Sequence, residues 1–372
     1  MQTVAGVLGI EEDAVKAHVT LLGGAFGRKS KADFPAEAAF LARETGKPVK
    51  VTWTREDDLR LGYLHSVSAQ HLRAGFDENG NVSAWLHRTV FPSISSTFDS
   101  EATGPSDGET GLGFTDNPFD IPNLRLETGD AKAHVRIGWL RSVCNIYHAF
   151  AVSSFADELA HVAGADPKDF LLQLLGPDRH VNPADDGATY GNYGQSIEEH
   201  PIDIGRMRAV VEKTADMAGW GRELPEGRGL GIAAHRSFLS NVGVATEVSV
   251  DGAGKVRVEE MWLVIDAGRV VNPDRVRAQM EGAGIFGISL AMHGEITAKE
   301  GRIEQGNYDT YPVARIEDAP QAIHVHIMDV DAPPGGVGEP GVPPVAPAIA
   351  NAYYAATGTR VRELPFRKAG FA

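Results

Sequence analysis

The chain has 372 residues, of which 42% are hydrophobic and 23% charged, a composition typical of a globular protein of about two domains. Its single cysteine, Cys144, excludes an intrachain disulfide, a cysteine-rich zinc site and a set of thiolate ligands for an iron–sulfur cluster. A net charge of −15 argues against a nucleic-acid partner.

The sequence also lacks the features of membrane and secreted proteins. It contains no apolar run of the ~20 residues that a membrane span needs. Its first ten residues lack the basic region and the long apolar region of a secretion signal. When the chain is considered alone, a cytoplasmic location is therefore expected.

The first part of the chain mixes predicted helices and strands. In chain order we expect a helix over 3–8, a buried strand over 17–22, a helix over 34–45, a strand over 47–53, a hairpin of strands 67–76 and 81–91 around Asp77-Glu-Asn-Gly80, and helices over 150–163 and 204–219. Asp166 and Pro167 have the residue types of an N-cap and first position of a further helix. The stretches 92–120 and 176–200 are predicted as long loops.

A second unit with both strands and helices follows. We expect strands over 229–234, 242–250 and 255–265, a helix from Asn272-Pro273 to residue 291, a strand over 323–329, and a helix over 348–357 that Gly358 closes. The turn Asp251-Gly-Ala-Gly254 joins the second and third of these strands as a hairpin. The fold class predicted from this order is α+β.

A glycine-rich segment, Gly23-Gly24-Ala25-Phe26-Gly27-Arg28, follows the first predicted strand. Its glycines would let backbone N–H groups approach an anionic ligand, and Arg28 could add positive charge. A tight turn between a strand and a helix is an equally good explanation. The segment lacks the G-x-G-x-x-G spacing, which weakens the alternative of a nicotinamide-dependent dehydrogenase.

A second glycine-rich segment, Gly335-Gly336-Val337-Gly338-Glu339-Pro340-Gly341, contains one carboxylate. Glycines bring backbone close to a bulky ligand, and the prolines that follow stiffen the loop. This pattern suits a single general base, Glu339. The alternative is a solvated glutamate, because most loop glutamates are exposed.

Other polar residues allow weaker hypotheses. Arg141 beside Ser142 could hold an anionic group, or could instead form an ion pair with Asp157 or Glu158. Gln279 could bond the amide edge of a cofactor, or could be an ordinary exposed helix residue. His324 and His326 share one face of a strand but have no evident third metal ligand. Cys144 is interpreted as a buried small residue rather than a catalytic thiol.

Taken together, these segments resemble the molybdenum-binding subunit of the xanthine oxidase family, in the branch of the isoquinoline 1-oxidoreductase beta subunit and aldehyde dehydrogenase. The matching segments lie along nearly the whole chain: Gly23–Lys29, Trp53–Asp57, Trp139–Val143, Phe155–His161, Val271–Asp274, Gln279–Gly282, Gly336–Gly341, 348–352, 356–358 and 362–365. Their joint order makes the resemblance specific where each motif alone is weak. The chain matches only the C-terminal half of a usual subunit of the family.

The resemblance implies two molybdopterin-binding domains with α/β layers and mixed sheets. In that division residues 1–175 are the remainder of the first domain, 176–228 a linker with a helix, and 229–372 the second domain. It also implies molybdenum held by a molybdopterin, in the cytosine dinucleotide form, with no protein side chain as a metal ligand. The cofactor-binding residues it implies are Gly23, Gly24, Ala25, Phe26, Gly27, Arg28, Arg141, Ser142, Gln279, Gly336, Val337 and Gly338.

The resemblance further implies an enzyme that oxidises an aldehyde or an N-heteroaromatic compound. Glu339 corresponds to the base that takes a proton from a hydroxyl on the metal, and water supplies the oxygen of the product. Two partners are expected, a chain that supplies the N-terminal half of the subunit and a subunit with [2Fe-2S] clusters that accepts electrons. A signal on a partner would place the complex in the periplasm. The alternative is a non-catalytic fragment or assembly subunit that keeps the fold.

Overall fold

A computed structural model describes residues 1–369 of the chain. Its helices are α1 (Gln2–Leu8), α2 (Asp33–Thr45), α3 (Arg55–Leu61), α4 (Asp107–Thr110), α5 (Asn145–Val162), α6 (Pro167–Leu175), α7 (Ile204–Ala218), α8 (Pro273–Met292) and α9 (Val345–Thr357). Its strands are β1 (Ala69–Phe76), β2 (Val82–Val90), β3 (Asn123–Gly129), β4 (His180–Val181), β5 (Ile202–Asp203), β6 (Arg228–Ser237), β7 (Ser240–Val250), β8 (Val256–Asp266), β9 (Ala298–Lys299), β10 (Arg302–Ile303) and β11 (Ala322–Ile327). The chain is therefore α+β, as predicted.

The larger sheet has the strand order β11-β8-β7-β6. The three strands β6, β7 and β8 pair antiparallel, whereas β11 runs parallel to β8, so the sheet is mixed. Helix α8 connects β8 to β11, and parallel neighbours require such a crossover. The carboxyl ends of β8 and β11 consequently lie at the same edge, next to the beginning of α8.

Helices α7 and α9 cover opposite faces of this sheet. A Cβ on Gly231 of β6 would lie 2.1 Å from the backbone nitrogen of Ala352 in α9. A Cβ on Gly243 of β7 would lie 2.3 Å from Oγ1 of Thr214 in α7. Gly231 pairs with Thr246, three residues from Gly243, so the two glycines face opposite sides. The main core lies between the sheet, α8 and α9, and β7 is buried along most of its length.

The smaller sheet, β1-β2-β3, belongs to a second core. Strands β1 and β2 form the predicted hairpin, and β3 joins β2 in parallel. Trp85 of β2 packs edge-on against Phe119 and Phe155, the latter from α5. Helix α7, from the predicted linker, contributes Met207 and Val211 to the same core. The two cores thus meet at α7, which packs on β7 and β8 as well.

The strand predicted over 17–22 is wrong. These residues are extended but pair with no strand of the described chain, and they are exposed rather than buried. The alternating pattern of 47–53 likewise forms no strand, because no neighbouring strand lies beside it. Alternation shows that a segment can pair, but the ladder requires a partner.

Most helix boundaries follow local capping residues. Asp166 accepts hydrogen bonds from the backbone of residues 168 and 169 at the start of α6, and Asn272 does the same for residue 275 of α8. Gly219 and Gly358 end α7 and α9 in the left-handed conformation. Helix α5 begins at Asn145, five residues earlier than predicted, because the polar residues of its first turn are buried. Among the described residues, no helix combines the length and the apolarity required to cross a bilayer.

Candidate active site

Glu339 lies in the loop between β11 and α9, and the segment before α5 holds it. The backbone N–H of Ser142 donates a hydrogen bond to Glu339 Oε1 at 2.9 Å. The hydroxyl of Ser142 donates to the carbonyl oxygen of Glu339 at 2.7 Å. Ser142 is completely buried. One residue thus fixes both the main chain and the carboxylate of Glu339, although the two are 197 positions apart in the sequence.

The second carboxylate oxygen of Glu339, Oε2, is left available. It accepts no hydrogen bond from the residues that the structure describes. Glu339 is only partly buried. The carboxylate is therefore held by one oxygen and open to a ligand at the other.

Arg141 connects this loop to α8. Its Nε donates to the carbonyl oxygen of Gly338 at 2.6 Å. Its Nη2 donates to both the backbone oxygen and the side-chain oxygen of Gln279, at 3.1 and 3.0 Å. Arg141 is 95% buried, since 5% of its surface is exposed. A planar guanidinium can make such divergent bonds, whereas an ammonium has no fixed geometry for them.

Burial is the main influence on the Glu339 carboxyl, and it raises the pKa above its usual value. The Ser142 N–H and the positive charge of Arg141 act in the opposite direction and partly offset the rise. A raised pKa makes a carboxylate a stronger base while it stays ionised above that pKa. The pKa of Glu339 is thus set by burial on one side and by two neighbours that favour the ionised form on the other.

The backbone that presents Ser142 adopts an uncommon conformation. Ser142 and Val143 have positive φ angles of 78° and 49°. A left-handed conformation is unfavourable for a β-branched residue and is retained only where the surroundings enforce it. Here it points the Ser142 N–H at Glu339. The strain is therefore located at the residues that orient the candidate base.

The first glycine-rich segment borders this site through Phe26. The backbone N–H of Arg141 donates to the Phe26 carbonyl at 3.0 Å, and the Phe26 ring stacks on Phe286 of α8 at 5.9 Å. Gly27 has a φ of 96°, and a Cβ there would lie 2.1 Å from the Trp139 carbonyl oxygen. Only glycine therefore allows this close approach.

Arg28 differs from its neighbours because its guanidinium is already occupied. It forms a double hydrogen bond with Asp33, at 3.1 and 2.8 Å, and a further bond with Asp58 at 2.8 Å. It also lies 4.3 Å above the ring of Phe34. The structure gives this side chain a role in packing α2 against α3.

The glycines before Glu339 differ in how closely their surroundings pack against them. A Cβ on Gly335 would lie 2.4 Å from Ser240 Oγ, and one on Gly336 would lie 3.0 Å from Phe238 Cβ. Phe238 lies in the turn between β6 and β7, and Ser240 is the first residue of β7. A Cβ on Gly338 would meet nothing within 4 Å. The open space beside Gly338 therefore has no packing explanation and leaves room for a bound group.

A cleft of about 500 Å³ lies where the carboxyl ends of β8 and β11 meet the beginning of α8. Arg269, Arg277 and His326 are among its lining residues. Two backbone hydrogen bonds, from Arg269 N–H to the Ala332 carbonyl and from Gly335 N–H to the Ala267 carbonyl, connect it to the loop that carries Glu339. Ligands commonly bind outside the carboxyl ends of parallel strands. The sequence alone does not reveal this cleft, because no local signal shows that β8 and β11 are parallel.

The remaining candidates from the sequence lie outside this site. Cys144 is buried, as predicted, and burial raises the pKa of its thiol, which disfavours the thiolate. His324 bonds Glu260 at 3.2 Å and stacks on Trp262, whereas His326 lines the cleft. Residues 1–369 contain no cluster of three or more His, Cys, Asp or Glu side chains suited to a metal.

The expected ion pairs of Arg141 with Asp157 or Glu158 are also absent from the described residues. Asp157 pairs instead with Arg360, and Glu158 pairs with Arg362. Both arginines lie in the segment after α9, and they anchor that segment to α5. Arg141 therefore bonds the carbonyl oxygens of Gly338 and Gln279 and the side chain of Gln279 instead.

The residues around Glu339 fit a molybdopterin group. The available Glu339 oxygen, the unengaged amide nitrogen of Gln279 and the open space beside Gly338 offer both donors and acceptors to a polar ring. In the adjoining cleft, Arg277 and the helix N-terminus suit the phosphates of a dinucleotide, whereas Arg269 is paired with Asp331, which also lines the cleft. The site thus matches the cofactor in the types of polar group that it offers and in the space beside Gly338.

Two family models match the chain. Residues 1–173 and residues 216–320 each match a molybdopterin cofactor-binding domain. Together these matches cover the three-stranded sheet and all of the four-stranded sheet except β11. They therefore include the Gly23–Arg28 segment, Arg141, Ser142 and Gln279, whereas Glu339 lies beyond the second match.

Curated relatives are similar over nearly the whole chain. The chain is 31% identical to the isoquinoline 1-oxidoreductase subunit beta of Brevundimonas diminuta, over 98% of its own length and 44% of the relative's. It is also 31% identical to a membrane-bound aldehyde dehydrogenase [pyrroloquinoline-quinone] of Gluconacetobacter polyoxogenes, over 99% of its length and 48% of the relative's. The chain thus spans slightly less than half the length of these two proteins.

A solved structure shares the fold. Quinoline 2-oxidoreductase of Pseudomonas putida 86 superposes with a TM-score of 0.74 at 14% identity, covering 98% of this chain and 69% of that one. At this identity the likeness concerns the fold, and the family assignment depends on the domain matches and the curated relatives. The chain belongs to the molybdopterin-dependent oxidoreductases of the xanthine oxidase family.

Proposed function

We propose that this chain is half of a split catalytic subunit of a molybdenum hydroxylase, in which Glu339 is the base. The observation that carries the proposal is the carboxylate of Glu339, which Ser142 holds at one oxygen while the other oxygen stays open. A base needs a fixed position and a free lone pair, and this arrangement provides both. A merely solvated loop glutamate would not have a completely buried residue bonded to it at two atoms.

The proposed cofactor is molybdopterin in its cytosine dinucleotide form. When bound, it supplies the two-electron redox chemistry that amino-acid side chains lack. Gln279 and the backbone of residues 23–27 and 336–338 would hold the pterin end. Arg141 would act by fixing Gly338 and Gln279, and Arg269 and Arg277 would face the dinucleotide end.

The proposed substrate is an aldehyde or an N-heteroaromatic compound, and the oxygen of the product comes from water. The names of the two curated relatives, which refer to isoquinoline and to aldehyde, support both classes. Glu339 would accept the proton released as the oxygen reaches the electron-poor carbon. Its raised pKa favours that transfer.

Partner chains complete the proposal. One would supply the part of the subunit that this chain lacks relative to its curated relatives, and another would carry [2Fe-2S] clusters that accept the electrons. The division of this chain into residues 1–175, 176–228 and 229–372 belongs to the same proposal. The compartment would follow from the partners, cytoplasmic or periplasmic.

The proposal is tested on the complex purified with its partner chains. We expect molybdenum and pterin in equal amounts, and incorporation of ¹⁸O into the product when an aldehyde or isoquinoline is oxidised in H₂¹⁸O. A complex with neither molybdenum nor pterin would support the alternative of a non-catalytic assembly subunit. Pyrroloquinoline quinone in place of the pterin, a cofactor that the name of one relative mentions, would also contradict the proposal.

A further inference from the structure

Residues 15–22 form an extended apolar segment that lies on the surface without a partner. Val19 is 95% exposed and Leu22 is 61% exposed, and the side chain of Leu21 is fully exposed. No backbone N–H or carbonyl of residues 16–24 forms a hydrogen bond with the described chain. The segment Ala17-His-Val-Thr-Leu-Leu22 nonetheless has the composition of a strand.

Such a segment is unfavourable on a free surface. An unpaired strand exposes a row of backbone donors and acceptors that can pair with another chain. Alternate side chains point to opposite faces, so that Val19 and Leu21 share one face and Thr20 and Leu22 the other. Further exposed apolar side chains occur on the flanking elements: Val7, Ile10, Phe26 and Phe40. Apolar surface of this extent commonly marks an interface.

The segment also leads directly into the candidate active site. Leu22 is followed by Gly23–Gly27, whose Phe26 carbonyl accepts the hydrogen bond from the Arg141 N–H. Pairing of the segment with another strand would restrain the chain up to this glycine-rich loop. Assembly and ordering of the cofactor-facing backbone would then be coupled.

We propose that residues 17–22 are a docking strand to which a strand of the missing half of the subunit is added. The proposed occupant follows from length, because the chain spans 44% and 48% of two curated relatives while nearly all of its own residues match. More than half of each relative thus has no counterpart here. This inference rests on the proposed function for the existence of that partner, and it adds the surface that the partner occupies. Added strands gain affinity from main-chain hydrogen bonds and specificity from alternate side chains.

The test uses the full chain and a defined probe. The probe is the polypeptide made of those residues of the Brevundimonas diminuta isoquinoline 1-oxidoreductase subunit beta that lie outside the matched region. We expect the two to bind, and we expect hydrogen exchange of the amides of residues 17–22 to slow at least about tenfold in the complex. Exchange of these amides should be nearly unprotected in the chain alone.

Three variants make the test specific. Leu21→Asp removes an apolar contact, and we expect it to weaken binding by at least about tenfold. Val19→Pro and Thr20→Pro remove adjacent N–H groups that point to opposite edges of the strand, so one of them should abolish binding while the other weakens it less. Lys16→Ala, just before the strand, is the matched control. These residues are exposed and form no hydrogen bond or ion pair with the rest of the described chain, so thermal unfolding of the chain alone should change little, which separates binding from misfolding.

Three results would overturn the inference. These are failure of the unaltered chain to bind the probe, binding by all variants as strong as that of the unaltered chain, or loss of self-association in Leu21→Asp with no effect on the probe. The last result would assign the strand to a second copy of the chain. A complex that forms through residues 17–22 but contains no molybdenum would instead contradict the proposed function and leave the docking strand intact.

Discussion

Two neighbours act on the pKa of Glu339 against the effect of burial. Burial raises the pKa, and the Ser142 N–H and the Arg141 charge lower it. Arg141 differs from Ser142 because it can be changed without altering the main-chain donor. Its replacement removes the positive charge together with the hydrogen bonds to Gly338 and Gln279, and a lysine at this position separates the two effects.

For Arg141→Met we expect the pKa of Glu339 to rise further, because the positive charge that favours the carboxylate is lost. A base works in its ionised form, so the acidic limb of the kcat profile should move to higher pH. The measurement is turnover against pH in the assembled complex. Arg141→Lys keeps the charge but not the planar donors and should retain the position of the limb while lowering kcat. An unchanged limb in Arg141→Met would contradict this account of the site.

For single residues of the candidate site, the sequence indicates which residue types are present but not how their side chains are arranged. The sequence indicates Glu339, Arg141 and Gln279 as candidate site residues. In the structure Arg141 bonds Gln279 and the carbonyl of Gly338, the residue before Glu339. The two hydrogen bonds from Ser142 to Glu339 cannot be predicted from the sequence. They join residues 197 positions apart and depend on two positive φ angles. For Arg28 the sequence indicates a ligand contact that the side chain's hydrogen bonds do not support. Its position after a glycine-rich segment suggested a ligand, but its partners Asp33 and Asp58 engage its guanidinium.

Strand β6 and helix α9 pack very closely, as the space around the glycines of β6 shows. A Cβ on Gly231 would lie 2.1 Å from Ala352 N and 2.4 Å from the Ala348 carbonyl oxygen. Both are backbone atoms of a helix and cannot move separately. The position of α9 fixes the loop that carries Glu339, because the helix begins at Val345, six residues after it.

We expect Gly231→Val to lower the free energy of unfolding by at least about 3 kcal/mol, because the added atoms must displace α9 from the sheet. Urea unfolding of the full chain measures this change. Gly252→Val is the matched control, since a Cβ on Gly252, in the turn between β7 and β8, meets nothing within 4 Å. Equal losses in the two variants would show that the effect comes from the substitution itself and not from helix packing.

Helices and hairpins could be predicted because their signals are local. Caps such as Asp166 and Asn272 lie beside the helices that they begin, and Asp251–Gly254 lies between the strands that it joins. The apolar run of 17–22 predicts a buried strand and the alternation of 47–53 predicts another, but neither forms a ladder within the described chain. The parallel pairing of β11 with β8, and with it the cleft, depends on segments about sixty residues apart.

Across the whole molecule, buried neutral histidines make stability depend on pH. Burial lowers the pKa of His87 and His235 to about 3 and that of His148 to about 4. The unfolded chain takes up protons at these residues below pH ~6.5, whereas the folded chain does not until pH 3–4. Stability should therefore fall as the pH drops below ~6.5, by about 1.4 kcal/mol per pH unit for each histidine.

The prediction is checked by urea unfolding at pH 7 and pH 5. Asp116 acts in the opposite direction, because burial raises its pKa to about 6 and the folded chain gains a proton there before the unfolded chain does. The net loss should thus be smaller than the histidines alone would give. His87→Gln should reduce the difference between the two pH values, and the exposed His71→Gln should not. A chain equally stable at both values would contradict the assigned protonation states.

The proposed function places the chemistry of the assembled enzyme on one carboxylate, that of Glu339. The most direct measurement is turnover of the assembled, molybdenum-loaded complex with Glu339→Gln, compared with the exposed control Glu281→Gln. We expect the first variant to lose at least about 10²-fold in kcat with unchanged molybdenum and pterin content, because the amide cannot accept the proton. The control should keep normal turnover. Near-normal turnover of a fully loaded Glu339→Gln complex would contradict the assignment of Glu339 as the base.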